Sequence, residues 1–361
     1  MLNEIGSEFW LSEIPEANSG EQLPSWLTKW PHLALTSSGR GATNLAIKLL
    51  PGELISKTAL LPAYCCHTMI DPFLQAGFEV FFYDIKKENL EPDLESVEKY
   101  IKQNIGVVLH MGYFGFETNK NLSAILEVFK NTGTKIIEDV THTLFSDFGC
   151  NGINDFDVAS IRKWMGIPSG GFCSSKYEKH LATIKSDEEF ISIRLDALKK
   201  KFEFIKSGDE NLKPQFLVLF KSAEAVQDKK PEPYSIDQLS LAILNRIKVK
   251  DLIAKRRENY SYLSHFVSQN KCLQLVFKEL PQNVCPLFLP VFVRGRRDEF
   301  QKILIENKIY SPVHWPRTNQ VDYSVFSGSN SILEDIISIP IDQRYSLAEM
   351  DRIAYIIRDF K

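Results

Sequence analysis

From about residue 36 to residue 175 the chain alternates between continuous apolar runs and segments whose apolar residues recur with helical spacing. TSSGRG leads into the helical pattern ATNLAIKLL, and KTALLPAY follows as a strand. TMIDPFLQAG predicts a helix closed by Gly77, EVFFYDI a strand, and LESVEKYIKQ an amphipathic helix. GVVLHM and TKIIEDV read as strands around NLSAILEVFKNTG, a helix stopped by Gly133. DFDVAS, apolar at alternate positions, reads as a strand ending near Ser160. Strands alternating with helices are the signature of βαβ units, and continuous apolar runs suit a parallel sheet covered on both faces. The fold class is therefore α/β, a mainly parallel sheet covered by helices in a large lobe.

From about residue 178 to 265 the pattern turns helical and charged, broken by DKKPEPYS at 228–235, which predicts a linker or lobe boundary. Ile236 to Val267 reads as one long helix. LFLPVFV then predicts a strand, RDEFQKILIENK a helix, and Leu347 to Asp359 a final helix. These make a small carboxyl-terminal α+β lobe. A chain of 361 residues exceeds the ~250–300 at which one core stops growing. We therefore expect a large domain at 1–240, with an extension over about 1–30, and a small domain at 241–361.

Composition changes this picture little. Hydrophobic content of 44% and charged content of 25% are those of a soluble globular protein. A formal net charge of −3 offers no footprint for nucleic acid. No run approaches the ~18 apolar residues of a membrane span, and MLNEIGSEFW is no signal peptide, so a cytoplasmic location is expected. Cysteines 65, 66, 150, 173, 272 and 285 lack CxxC spacing, which reads as reduced thiols without a metal site.

Three short segments carry candidate chemistry. TSSGRGA, Thr36 to Ala42, opens a helix whose first amides have no internal acceptor. It is either an anion cradle or an ordinary Ser N-cap. In IIEDVTH, Asp139 closes a buried strand, where a carboxylate needs a partner. That partner is a protonated pyridine nitrogen, or else Asp139 caps the next turn. In SIRKWMGIPSGGF, Lys163 stands between a strand and Gly170-Gly171. A strand-end lysine can form an imine, although a surface lysine would look the same. Arg162 either depresses the Lys163 pKa or faces solvent. In this order the three segments have the layout of pyridoxal 5′-phosphate (PLP) enzymes, with handles for phosphate, ring nitrogen and aldehyde.

From about Thr36 to the carboxyl terminus the chain resembles the DegT/DnrJ/StrS family of sugar aminotransferases, of PLP fold type I. SSGRGA is similar to the family's phosphate turn, LLPAYCCHTMIDPFLQAGFEVFFYDI to its Pro-aromatic-Thr strand, and LHMGYFG to its His-x-x-Gly stretch. IIEDVTH and SIRKWMGIPSGG resemble its Asp and Lys motifs. The resemblance implies that Lys163 is the Schiff-base lysine and Asp139 the partner of the ring nitrogen. It sets His142 by the ring and its 3′-oxygen. It sets Gly39, Arg40, Gly41 and Ser160 on the phosphate, with the backbone amides of Arg40 and Gly41 as donors. Tyr64 or His67 would take the stacking role, because Cys66 stands at the family's aromatic position. His110, His314, Trp315 and Arg317 would face the substrate.

The chain also departs from the family. Ser160 lies only three residues before Lys163, and no Asn-x-Arg accompanies Tyr234 to carry a contact from a second subunit. The implied function is transfer of an amino group from Glu or Gln to a nucleotide-linked keto sugar, by a homodimer, in cell-surface polysaccharide biosynthesis. The alternatives are a PLP-dependent deoxysugar dehydratase, whose relatives carry His in place of Lys163, and a non-catalytic PLP-binding protein of the same fold.

Overall fold

The computed structural model describes residues 4–16, 22–50, 54–148, 152–177, 183–230 and 232–361; Cys150 lies outside them. The chain runs β1 (Ile5–Gly6), β2 (Leu33–Thr36), α1 (Gly39–Leu49), β3 (Thr58–Pro62), α2 (His67–Gln75) and β4 (Glu79–Tyr83). It continues through α3 (Leu94–Glu98), β5 (Val107–Met111), α4 (Ser123–Asn131), β6 (Lys135–Asp139), β7 (Phe156–Ser160) and β8 (Gly171–Ser175). Four helices follow: α5 (Glu188–Ser207), α6 (Leu212–Asp228), α7 (Gln238–Arg246) and α8 (Val249–Gln269). The chain closes with β9 (Leu273–Leu275), β10 (Leu289–Val293), α9 (Arg297–Glu306) and β11 (Ile309–Tyr310). Last come α10 (Ser327–Asp335), β12 (Ile336–Ile339) and α11 (Leu347–Asp359).

The chain divides into two compact units, each built from separated stretches. The first holds residues 8–52 and 154–248. Its strands form an antiparallel order β2–β8–β7, with Thr36 opposite Gly171 and Gly171 opposite Ser160. This register brings the end of β2, the start of β8 and the end of β7 to one level. Helices α5 and α6 bury Ala197, Leu198, Phe204, Phe216 and Phe220 between them, with Leu11 joining that cluster. Burying such side chains stabilises by about 1.5–3 kcal/mol each for the larger ones.

The second unit holds residues 2–7, 53–153 and 249–361. Strands β6, β5, β3 and β4 pair in parallel in that order, as the βαβ pattern predicts. Leu60, Leu61, Val107, Val108, Leu109, Ile136 and Ile137 are fully buried, which is why these strands read as continuous apolar runs. A second sheet, β9–β10–β12, is antiparallel.

Two elements differ from the pattern. The long helix expected over Ile236 to Val267 is two helices, α7 and α8, parted at extended Ile247 (φ −71°, ψ 125°). The expected lobe boundary at 240/241 falls inside α7. The helix expected over LESVEKYIKQ keeps α-helical form only across Leu94–Glu98. No helix among the described residues is long and apolar enough to cross a membrane.

Candidate active site

The first unit assembles the phosphate turn and the lysine turn. Ser38 caps α1, its hydroxyl accepting from Gly41 N–H at 3.1 Å. The ordinary N-cap and the cradle are therefore the same structure. Because the Ser38 hydroxyl takes Gly41, the amides at the helix tip are those of Gly39 and Arg40. This corrects the expectation that Gly41 N–H is a phosphate donor: it is already used in the cap. A helix end of this kind, with its positive dipole, suits an anion.

Ser160 stands directly against this tip. A Cβ built on Gly39 would lie 2.9 Å from Ser160 Cβ, so only glycine admits the close approach. Gly170 N–H donates to Ser37 carbonyl at 2.7 Å. A Cβ on Gly171 would meet Ser38 backbone atoms at 2.5 Å. The double glycine thus lets β8 start beneath the cap. Between Ser160 and Gly170 the chain makes a 3-10 turn, Ile161–Lys163, with Ile161 N–H donating to Gly170 carbonyl at 3.0 Å. Lys163 leaves this turn exposed, while Ile161 and Trp164 are fully buried.

Arg162 does not face solvent. Its Nη1 donates to Glu224 Oε1 and its Nη2 to Gln227 Oε1, both at 3.1 Å. Arg194 Nη1 donates to the same Glu224 oxygen at 3.2 Å. The Arg40 side chain pairs with Asp228 at 2.6 Å. Tyr234, the landmark for the missing Asn-x-Arg, lines a pocket beside the cradle with Ser37, Ser38, Gly41, Asn44 and Lys230. The sequence pattern gave no sign of the Arg162–Glu224–Arg194 group, because its members lie on three elements far apart in the chain.

The second unit holds the remaining candidates. Asp139 ends β6 opposite Met111, and its Oδ1 accepts from Thr141 N–H at 2.8 Å. Burial, and then the charges of Cys66 and Asp139, push the Cys65 thiol well above its ordinary value. His142 is fully buried, and its Nδ1 accepts from Phe114 N–H at 3.2 Å. Trp315 stacks on His142 with ring centres 5.3 Å apart and planes 24° apart. Tyr64, also fully buried, has its ring 5.1 Å from that of Trp315, and its hydroxyl donates to the His314 carbonyl. Burial raises the Tyr64 phenol well above its ordinary value, so it stays a donor. Tyr113 and Phe114 complete this aromatic group, which the likeness of LHMGYFG to a His-x-x-Gly stretch does not bring out.

The candidates of this unit are not all brought together. His110 pairs with Glu138 in register and so lies on the sheet face opposite Asp139; it is buried against Asn119 at 2.8 Å. His67 opens α2 and is exposed. His314 Nδ1 lies 2.8 Å from Ser338 Oγ. Arg317 is half-exposed and pairs with Glu334 at 3.5 Å.

Residues 2–160 match the DegT/DnrJ/EryC1/StrS aminotransferase family, so the match ends three residues before Lys163. No curated protein matches the chain. Among solved structures, the sugar aminotransferase CalS13 from Micromonospora echinospora is 15% identical over 97% of this chain and 100% of its own, with a TM-score of 0.65. DesV from S. venezuelae, solved in complex with a ketimine intermediate, is 14% identical over 92% of this chain and 86% of its own, with a TM-score of 0.67. A DegT DnrJ EryC1 StrS aminotransferase from Brucella abortus is 16% identical over 91% and 86%, with a TM-score of 0.63. These likenesses establish that the chain has the α/β fold of these aminotransferases. The family expected from the motifs is thus the one whose pattern residues 2–160 carry, on a chain with the fold of that family's solved members.

Proposed function

We propose that the protein is a PLP-dependent aminotransferase that moves an amino group from glutamate or glutamine onto a keto sugar linked to a nucleotide. The observation that carries the reading is the meeting, in the first unit, of the α1 tip, Ser160 and the lysine turn. The family match and the printed name of the Micromonospora relative support a sugar as acceptor. A cytoplasmic homodimer serving cell-surface polysaccharide biosynthesis belongs to the same proposal.

The α1 tip and Ser160 of the first unit fit the cofactor's phosphate. A phosphate would accept from the Gly39 and Arg40 amides and from the Ser160 hydroxyl, where the dipole of α1 favours negative charge. Gly39 and Gly171 allow a close approach that a bulkier residue would prevent. By the resemblance to the family, Asp139 would pair with the ring nitrogen and His142 with the 3′-oxygen. Because His142 Nδ1 accepts a backbone N–H, its neutral ring carries hydrogen on Nε2, the donor an oxygen needs.

When bound, PLP supplies an aldehyde carbon for amines and a ring whose protonated nitrogen draws electrons. Lys163 would hold the aldehyde carbon through Nζ, and its free amine would serve as general acid and base. Asp139 would keep the proton on the ring nitrogen by charge pairing. Thr141 N–H donates to Oδ1 of that carboxylate at 2.8 Å.

A half-reaction tests the proposal. Glutamate or glutamine added to the cofactor-loaded protein should abolish the visible band, and a nucleotide-linked keto sugar should restore it. If no donor changes the spectrum of protein loaded at Lys163, transamination is wrong.

A further inference from the structure

Successive residues of a 3-10 turn diverge by about 120°, and residues three apart eclipse. Ile161 and Trp164 are such a pair, and both are fully buried. Arg162 takes the second direction, with only 12% of its side chain exposed. Its guanidinium lies 5.3 Å from the centre of the Phe190 ring on α5 and is bonded to Glu224 and Gln227 on α6. Lys163 takes the third direction. Among the described residues it makes no hydrogen bond or ion pair, so its own contacts do not aim it. Its starting direction is set by what pins its neighbours.

The pin on Arg162 is shared. Glu224 Oε1 accepts from Arg162 and from Arg194 together, so one carboxylate holds two like charges side by side. Arg194 is 7% exposed, whereas Glu224 is 46% exposed, its bonded oxygen turned to the arginines. Burial pushes the Glu224 carboxyl up, but Arg162 and Arg194 outweigh it and hold it below its ordinary value. Burial and the charge of Arg162 bring Arg194 down to about 10. Without Glu224 the two guanidinium groups repel each other, and Arg162 keeps Gln227 as its one side-chain acceptor among the described residues.

We propose that Glu224 and Arg194 are positioning residues for Lys163, acting through Arg162 to hold the turn in the rotation that presents the lysine amine. This rests on the reading of Lys163 as the cofactor-holding lysine. Neither residue touches the reacting atoms, and neither lies in the part of the chain that matches the family.

The test is competitive acylation of the cofactor-free protein with a trace of isotope-labelled acetic anhydride, followed over pH. The rate at Lys163 is divided by the rates at exposed lysines of the same molecules and mapped by peptide mass. Glu224→Ala should change the relative rate at Lys163 threefold or more at a temperature well below its Tm. Glu224→Gln, which keeps an acceptor oxygen, should recover most of the wild-type value. If Glu224→Ala does not fold, Arg162→Lys carries the comparison, since an amine cannot hold Glu224 and Gln227 together as the guanidinium fork does. A wild-type relative rate in the folded variants, with only Tm lowered, would reduce Glu224 to a structural role and overturn the proposal. Reduction with borohydride after adding PLP then reads the cofactor separately. Label on another lysine in wild type would refute the proposed function, while the acylation comparison would still decide the role of Glu224.

Discussion

Replacing Gly39 by Ala tests the cradle at its tightest point. The new methyl would sit 2.9 Å from Ser160 Cβ, 3.2 Å from Ser160 N and 3.3 Å from Ser160 Cα. Carbon atoms settle at roughly 3.5–4.0 Å, so the α1 tip and the end of β7 must part by about 1 Å. Overpacking of this kind costs about 1–3 kcal/mol of stability. The phosphate would be held from both sides of the widened gap, by the α1 amides and by the Ser160 hydroxyl. A misplacement of about 1 Å costs on the order of 10²-fold in well-aligned sites. We expect PLP affinity to fall ~10- to 100-fold, or ~1.4–2.8 kcal/mol.

Gly41→Ala is the control two residues along. Its Cβ would meet nothing closer than Ser38 Oγ at 3.5 Å, an ordinary contact. Alanine should also stabilise α1 by up to ~1 kcal/mol over glycine. The assay is titration of each cofactor-free variant with PLP by visible absorbance, beside thermal unfolding. Gly39→Ala binding as tightly as Gly41→Ala would refute the reasoning.

Other outcomes follow from the same structure. Asp139→Asn should fold but lose at least ~10-fold in turnover, since one pKa unit at the ring nitrogen is worth about 1.4 kcal/mol; steady-state kinetics beside circular dichroism would check it. Asp342, buried against Arg344 at 2.7 Å, feels burial pushing its carboxyl up, but Arg344 and Arg256 hold it below its ordinary 3.8. Its contribution is therefore complete above pH 3.8 and lost as pH falls through the lower folded value. Melts of wild type and Asp342→Asn should differ widely at pH 7 and converge as acid is added. Sedimentation at micromolar concentration should give a dimer, and a cofactor-loaded monomer would contradict that part of the proposal.

The parallel strands of the second unit were legible because buried βαβ strands are apolar throughout; Val107–Met111 and Lys135–Asp139 fall where the pattern sets them. Strand β8 was not, because Gly171, Cys173, Ser174 and Ser175 carry little strand signal of their own. It forms because β2 and β7 both pair with it. The break at Ile247 was hidden for a related reason: no glycine or proline marks it, and the apolar period runs on across it.

At the site, glycine spacing and strand ends pointed to Gly39, Ser160 and Lys163, which the structure sets on two adjoining turns. His110 misled because strand-end position does not tell which sheet face a side chain takes, and pairing with Glu138 decides that. Glu224 and Arg194 could not be found by spacing, since only the packing of α5 and α6 beside the lysine turn joins them to Arg162.

The most direct measurement is reductive trapping of the wild-type protein. PLP is added, the complex is reduced with borohydride, and the digest is mapped by mass. The account predicts one pyridoxyl group per chain, on Lys163. A label on a different lysine, or label spread over many surface lysines with no visible band before reduction, would contradict it.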